Sequence, residues 1–84
     1  MQFAMKTKVI NLKGALFDGE AKSVNAKTQS GEITILPHHH PIISVLASPA
    51  LVRVEDEHGE HHSFTTTGGF LHLDGDSHLT VLVD

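Results

Sequence analysis

The run GGFLHLDGDSHLTVLV, residues 68–83, reads as two β-strands joined by the turn Asp74-Gly75-Asp76-Ser77. Aspartate, glycine and serine supply turn chemistry, and the apolar runs on either side favour an extended chain. His72 alternates with Leu71 and Leu73. Successive side chains of a strand point to opposite faces, so this imidazole faces solvent or a partner. The pair Gly68-Gly69 marks a bulge or a point where another backbone comes close.

The same short, β-rich pattern extends back to the start of the chain, and no segment reads as a long amphipathic helix. In AMKTKVINL, residues 4–12, Met5, Thr7 and Val9 alternate with Lys6, Lys8 and Ile10. GALFDGEAKSVNA, residues 14–26, contains Asp18-Gly19 between apolar residues, which predicts a hairpin turn there. GEITILP puts Ile33 and Ile35 on one face, with Thr34 and Leu36 on the other. PIISVL and ALVRVED follow as strands, DEHGE makes a polar hairpin turn, and HHSFTTT returns. The predicted glycine turns are at Gly19, Gly59 and Gly75, where a positive φ is free of steric cost. Turns recur about every 8–12 residues, a spacing characteristic of sandwiches and barrels. The expected fold is all-β, a small antiparallel β-sandwich of about ten strands forming a single domain over residues 1–84.

Composition narrows the function classes. A chain of 84 residues, with 39% hydrophobic and 19% charged residues, builds one small core and no deep enclosed active site. The net charge is −4, and the six Lys and Arg form no run, which argues against nucleic acid as a partner. There is no cysteine, hence no disulfide or thiolate chemistry. No apolar run approaches the roughly 20 residues of a membrane span, and MQFAMKTKVI is too polar and alternating for a signal peptide. The expected location is therefore cytoplasmic. Eight histidines add one lever: their protonation reverses the sign of the net charge in mildly acidic solution.

The histidines invite a metal reading, centred on His38, His39 and His40 between Pro37 and Pro41. Adjacent residues of an extended segment point apart, so these three imidazoles cannot converge on one ion. His38 and His40 share a face at best, with a third ligand drawn from Glu60, His61, His62, His72 or His78. His58, His61 and His62 lie on or beside a polar hairpin, where solvation explains them. No HExxH pattern is present, and no Ser, His and acid trio stands out by spacing. Asp56 and Glu57 are close in sequence, but in a turn. The expectation is no catalytic residue, no cofactor and no metal, with a histidine-rich metal-binding sandwich as the alternative.

Five segments, LFDGEAKSV, GEITILPHHHPIISVL, LVRV, GGFLHL and LTVLVD, occur in an order and spacing that resembles the N-terminal β-sandwich domain of F-type ATP synthase epsilon subunits. That family reads LF-x-GEA-x-SV, GE-x-x-ILP-x-H-x-P-L-I, a strand carrying a basic residue, GGFLEV and VTVLAD. The resemblance runs from about Val9 to Asp84 and implies a flattened sandwich of about ten strands. It also implies a non-catalytic rotor subunit of the central stalk. Such a subunit binds the gamma subunit and the membrane c-ring and couples ion translocation to ATP synthesis or hydrolysis. It is soluble when isolated and peripheral on the cytoplasmic face of the membrane within the complex. Carried over by position, His39 matches the histidine of the P-x-H-x-P loop that faces gamma, with Pro41 and Ile42 beside it. Glu32 matches the acidic residue that approaches the c-ring loop.

The chain departs from the family in places. His38 stands where glycine or asparagine is usual, and His40 where alanine or threonine is usual. Lys27 replaces a frequent proline, and Ala50 follows Pro49 where glycine is common. The helical hairpin that follows the sandwich in most members is absent from residues 1–84, so its inhibitory and nucleotide-binding roles are not expected of this stretch. A loop pinned by two prolines loses little entropy on docking, and Leu36, Ile42 and Ile43 offer apolar surface beside it. Since neighbours in a strand face opposite ways, at least one of the two isoleucines belongs to the core.

Overall fold

The alternation of residues 5–10 becomes the first strand, with Met5, Thr7 and Val9 fully buried and Lys6 and Lys8 exposed. A computed structural model describes residues 4–84, so the first three residues of the expected domain lie outside the described residues. Within them the chain forms strands β1 (Met5–Asn11), β2 (Gly14–Thr28), β3 (Gly31–Ile35), β4 (Ile42–Val45), β5 (Ala50–Asp56), β6 (His61–Thr66), β7 (Gly69–Leu73) and β8 (His78–Val83). No helix occurs among the described residues.

The count is eight strands rather than about ten, and the reason lies in β2. Asp18 and Gly19, expected to turn, instead sit inside a 15-residue strand, paired with Lys8 and Thr7 of β1. Gly19 has no positive φ, and the Phe17 ring lies over it: a Cβ there would stand 3.6 Å from Phe17 Cζ. The true β1–β2 turn is at Leu12-Lys13, where the Asn11 side chain accepts a hydrogen bond from the Lys13 amide at 2.8 Å and Gly14 takes φ +135°. This is an Asx-type turn. The hairpins at Glu57–Glu60 and Asp74–Ser77 form where the sequence predicts them. Of the three glycines expected to need a positive φ, only Gly59 has one; in the β7–β8 turn it falls on Ser77.

The strands hydrogen-bond in the order β4-β7-β8-β1-β2-β5-β6, with β3 also on β2. All pairs are antiparallel except β1–β8, which is parallel, so the expected antiparallel sandwich is a mixed one. β2 spans both layers. Its first half pairs with β1, and its second half lies between β3 and β5. The layers are sewn together where β4 ends: Ala47 N donates to Lys27 O and Gln29 N to Val45 O, while Leu46 N extends the β4–β7 ladder to Gly69 O, each at 2.9 Å. Between the layers lie the fully buried Val24, Ile35, Val52, Val54, Leu71, Leu79 and Val81. The buried Thr28 and Thr66 hydroxyls each donate to a nearby carbonyl at 2.6 Å, of Gly31 and Gly68. Among the described residues no buried side-chain polar atom is left without a partner, as the cost of burying one unpaired requires.

The two outer faces differ. On the β4-β7-β8-β1 layer, register places Val45, Phe70, Leu82 and Ile10 side by side across four strands. The adjacent row is Ile43, His72, Thr80 and Lys8. On the other layer the equivalent row is Thr34, Asn25, Arg53 and Ser63, polar throughout.

Candidate docking surface

The β3–β4 connection is a tight turn. His39 N donates to Leu36 O at 3.1 Å, Pro37 occupies the second position, and His38 takes φ +70° at the third. This is the pattern of a type II turn, whose third position demands a left-handed residue. Glycine and asparagine reach that region at least cost, which gives the physical reason for their use in the resembling family; His38 adopts it against the usual steric penalty. The His39 ring hydrogen-bonds the His40 carbonyl through Nδ1 at 2.7 Å. A carbonyl only accepts, so Nδ1 carries the proton and Nε2 is an acceptor in the neutral ring. His38, His39, His40 and Pro41 are all exposed.

The apolar neighbours of this loop divide by strand parity. Ile42 is half-buried and packs on the core, whereas Ile43 is 72% exposed and Leu36 54% exposed. The loop therefore leads directly into the outer apolar row, through Ile43 and then Val45. That row was not read from the sequence. Its signal is present there, because Phe70 and Leu82 occupy the outward positions of strands whose inward positions are already apolar.

Glu32 lies at the other end of β3, paired laterally with Lys27 on the polar face. It accepts a hydrogen bond from Asn25 Nδ2 at 3.1 Å, and the same amide donates to Thr34 Oγ1 at 2.9 Å. Glu32 and Ile35 are about 10 Å apart along the strand, so Glu32 and the histidine loop are separate surfaces.

The histidines do not assemble around His38 and His40. Among the described residues, the one group whose metal-capable atoms all lie within 4.8 Å of one another is Asp56, Glu60 and His62. Its geometry is that of a hairpin clamp. Asp56 Oδ1 accepts the amides of His58 at 2.8 Å and Glu60 at 3.0 Å, and Oδ2 accepts His62 Nε2 at 2.8 Å. The hydrogen bond from His62, helped by the two amides, outweighs burial and lowers the Asp56 pKa from 3.8 to about 2. His62, expected to be solvated, is half-buried with its ring 5.0 Å from that of Phe17. Asp74 has a similar role in the β7–β8 turn. It accepts the His78 and Asp76 amides, which lower its pKa. His72 is exposed between the buried Leu71 and Leu73, as alternation requires.

Two surfaces thus stand out, an apolar face continuous with a proline-bounded histidine loop and a polar edge at Glu32. The family profile for the ATP synthase delta/epsilon chain β-sandwich domain matches residues 4–84. The chain belongs to this family. It is 31% identical over 84 residues to "ATP synthase epsilon chain 2" of Burkholderia orbicola (strain AU 1054), covering 100% of this chain and 55% of that protein. It is 37% identical over 76 residues to "ATP synthase epsilon chain" of Alkalilimnicola ehrlichii, covering 90% and 53%. The chain spans about half the length of these curated relatives. The delta/epsilon fold recurs in a chain of the Euglena gracilis mitochondrial ATP synthase structure (OSCP/F1/c-ring, rotational state 1). The TM-score is 0.88 at 18% identity, over 99% of this chain and 52% of that one. It recurs also in the central stalk/c-ring structure of the Tetrahymena thermophila mitochondrial ATP synthase. There the TM-score is 0.74 at 23% identity, over 98% and 63%. Among the described residues no helix is long and apolar enough to cross a membrane.

Proposed function

We propose that this epsilon-type sandwich is a non-catalytic part of the rotor of an F-type ATP synthase. It docks on the gamma subunit through the 36–41 loop and the apolar face, and meets the polar loops of the c-ring through the Glu32 edge. It thereby carries torque between ion translocation and the catalytic head, and its place is peripheral, on the cytoplasmic side of the membrane. The observation that carries the reading is the asymmetry of the outer faces. Ile43, Val45 and Phe70 are 72%, 50% and 43% exposed on one layer, continuous with the His39 loop. Contiguous apolar surface of this kind marks an interaction site, and a polar edge suits contact with polar loops. His39, Pro41 and the adjoining apolar side chains form the gamma surface, with Ile42 supporting the loop from the core side.

The test is a binding titration against the cognate gamma subunit. Binding at micromolar or tighter affinity that weakens at least tenfold in His39→Glu supports the reading. No binding at high concentration of both partners refutes it. The c-ring contact is tested separately by Glu32→Lys, which should lower ATP-driven ion pumping in the assembled enzyme and leave gamma binding unchanged.

A further inference from the structure

One imidazole stands inside the apolar face rather than at its rim. His72 on β7 lies between Ile43 on β4 and Thr80 on β8, with Phe70 two residues back on the same face. β4 turns no titratable group toward it, since the outward residues of that strand are Ile43 and Val45. On its own strand the next outward residue is Asp74, whose carboxylate already accepts the amides of Asp76 and His78. β8 contributes His78, with Nδ1 3.8 Å from Asp74 Oδ2, so the single carboxylate faces two imidazoles. β1 contributes Lys8, next to Thr80 in the same row and roughly 10 Å from His72, with Asp18 beyond it.

Resting on the gamma-docking reading, we propose that docking through this face is gated by pH through His72: the neutral imidazole is covered readily and the protonated one is not. In the free chain the ring is exposed, and water solvates either form. A partner laid over Ile43, Val45 and Phe70 removes that water from the ring. Desolvation penalises the charged form of a histidine, and the Lys8 ammonium adds like charge. Asp74 opposes this, but its one carboxylate already accepts two backbone amides and is divided between His72 and His78. The complex therefore holds fewer protons than the separate partners, and its affinity falls as pH drops through the range where imidazoles titrate. Where docking disfavours the protonated ring by about tenfold, linkage gives about a fivefold loss of affinity between pH 7.5 and 5.5.

The experiment measures the dissociation constant for the gamma subunit at pH 7.5 and 5.5, for the parent chain, His72→Gln and His39→Gln. Proton release is read by calorimetry in two buffers of different ionisation enthalpy. The expected result is about fivefold weakening of the parent at pH 5.5, with proton release on binding. His72→Gln should lose most of the pH dependence and proton release, read as the ratio of its own dissociation constants at the two pH values, while His39→Gln retains both. If His72→Gln binds with the same pH dependence and proton release as the parent, the gating is overturned and docking stands. If the parent binds at neither pH, the docking reading falls and the gating with it.

Discussion

Gly69 is the position where one added methyl group should cost most. Its φ is +137°, and a Cβ built on it would fall onto the Leu82 carbonyl oxygen and lie 2.9 Å from the carbonyl carbon and 3.1 Å from Val83 Cα. These are backbone atoms of β8 and cannot swing aside. Relief would require parting β7 from β8 where Gly69 pairs with Val83 and where Leu46 N donates to Gly69 O. A side chain in this region of φ costs about 1–3 kcal/mol, and overpacking against fixed neighbours costs about 1–3 kcal/mol more. Gly69→Ala should therefore destabilise the domain by about 2–6 kcal/mol, against a total of about 4–13 kcal/mol for a chain of this length. At about 4–8 °C per kcal/mol for a domain of this size, Tm should fall by roughly 10–50 °C. Two controls separate the causes. Gly31 has φ +123° with no atom within 4 Å, so Gly31→Ala carries backbone strain alone. Gly75 has neither feature, and Gly75→Ala should change stability by less than about 0.5 kcal/mol. Urea and thermal unfolding followed by circular dichroism measure all three. If Gly69→Ala unfolds within about 0.5 kcal/mol of Gly31→Ala, the close approach of the Leu82 backbone does not control this site.

Replacing His38 (φ +70°) by Asn should raise stability by about 0.5–1 kcal/mol, seen as a higher urea midpoint, because asparagine tolerates the left-handed region better; a lower midpoint would contradict the turn assignment. The Asp56 pKa is depressed from 3.8 to about 2 on folding, so the stability it contributes is complete above about pH 4 to 5 and is lost as pH falls toward 2. The slope of urea midpoint against pH over that range should flatten in Asp56→Asn, and an unchanged slope would show that other carboxylates control it. Phe70→Asp and Ile43→Asp, both on the outer face, should weaken gamma binding at least tenfold while leaving the unfolding midpoint within about 1 kcal/mol of the parent. Equal affinity for both variants would place the gamma contact elsewhere.

Much of the strand layout was legible in residue alternation. Met5-Thr7-Val9, Ile33-Ile35 and Leu71-Leu73 all face inward as period-2 patterning requires, and the hairpins at Glu57–Glu60 and Asp74–Ser77 carry their own turn chemistry. The Gly68-Gly69 pair signalled either a bulge or a close backbone approach, and Leu82 supplies the approach at Gly69. The ordered segments from LFDGEAKSV to LTVLVD identified the family, because side-chain order along a chain survives without coordinates. Local signals misled where a longer-range pairing was stronger. Asp18-Gly19 is a good hairpin dipeptide, but β1 holds it extended, and the turn moves to Asn11–Gly14.

The candidate surface depended more on tertiary structure. Sequence placed His39 between two prolines and marked His72 as outward-facing, but it could not say what surrounds either. That Val45, Phe70, Leu82 and Ile10 form one row is a matter of register between strands remote in the chain, including the parallel β1–β8 pair. Likewise, Ile43 rather than Ile42 faces outward because β4 pairs with β7 in one register of the two available, and a one-residue slip would exchange them. Sequence by itself determined most of the strand segments, most of their inward faces and the family. Only the tertiary structure decided which outward residues meet, because strand pairing and register, unlike alternation, are set by contacts between distant parts of the chain.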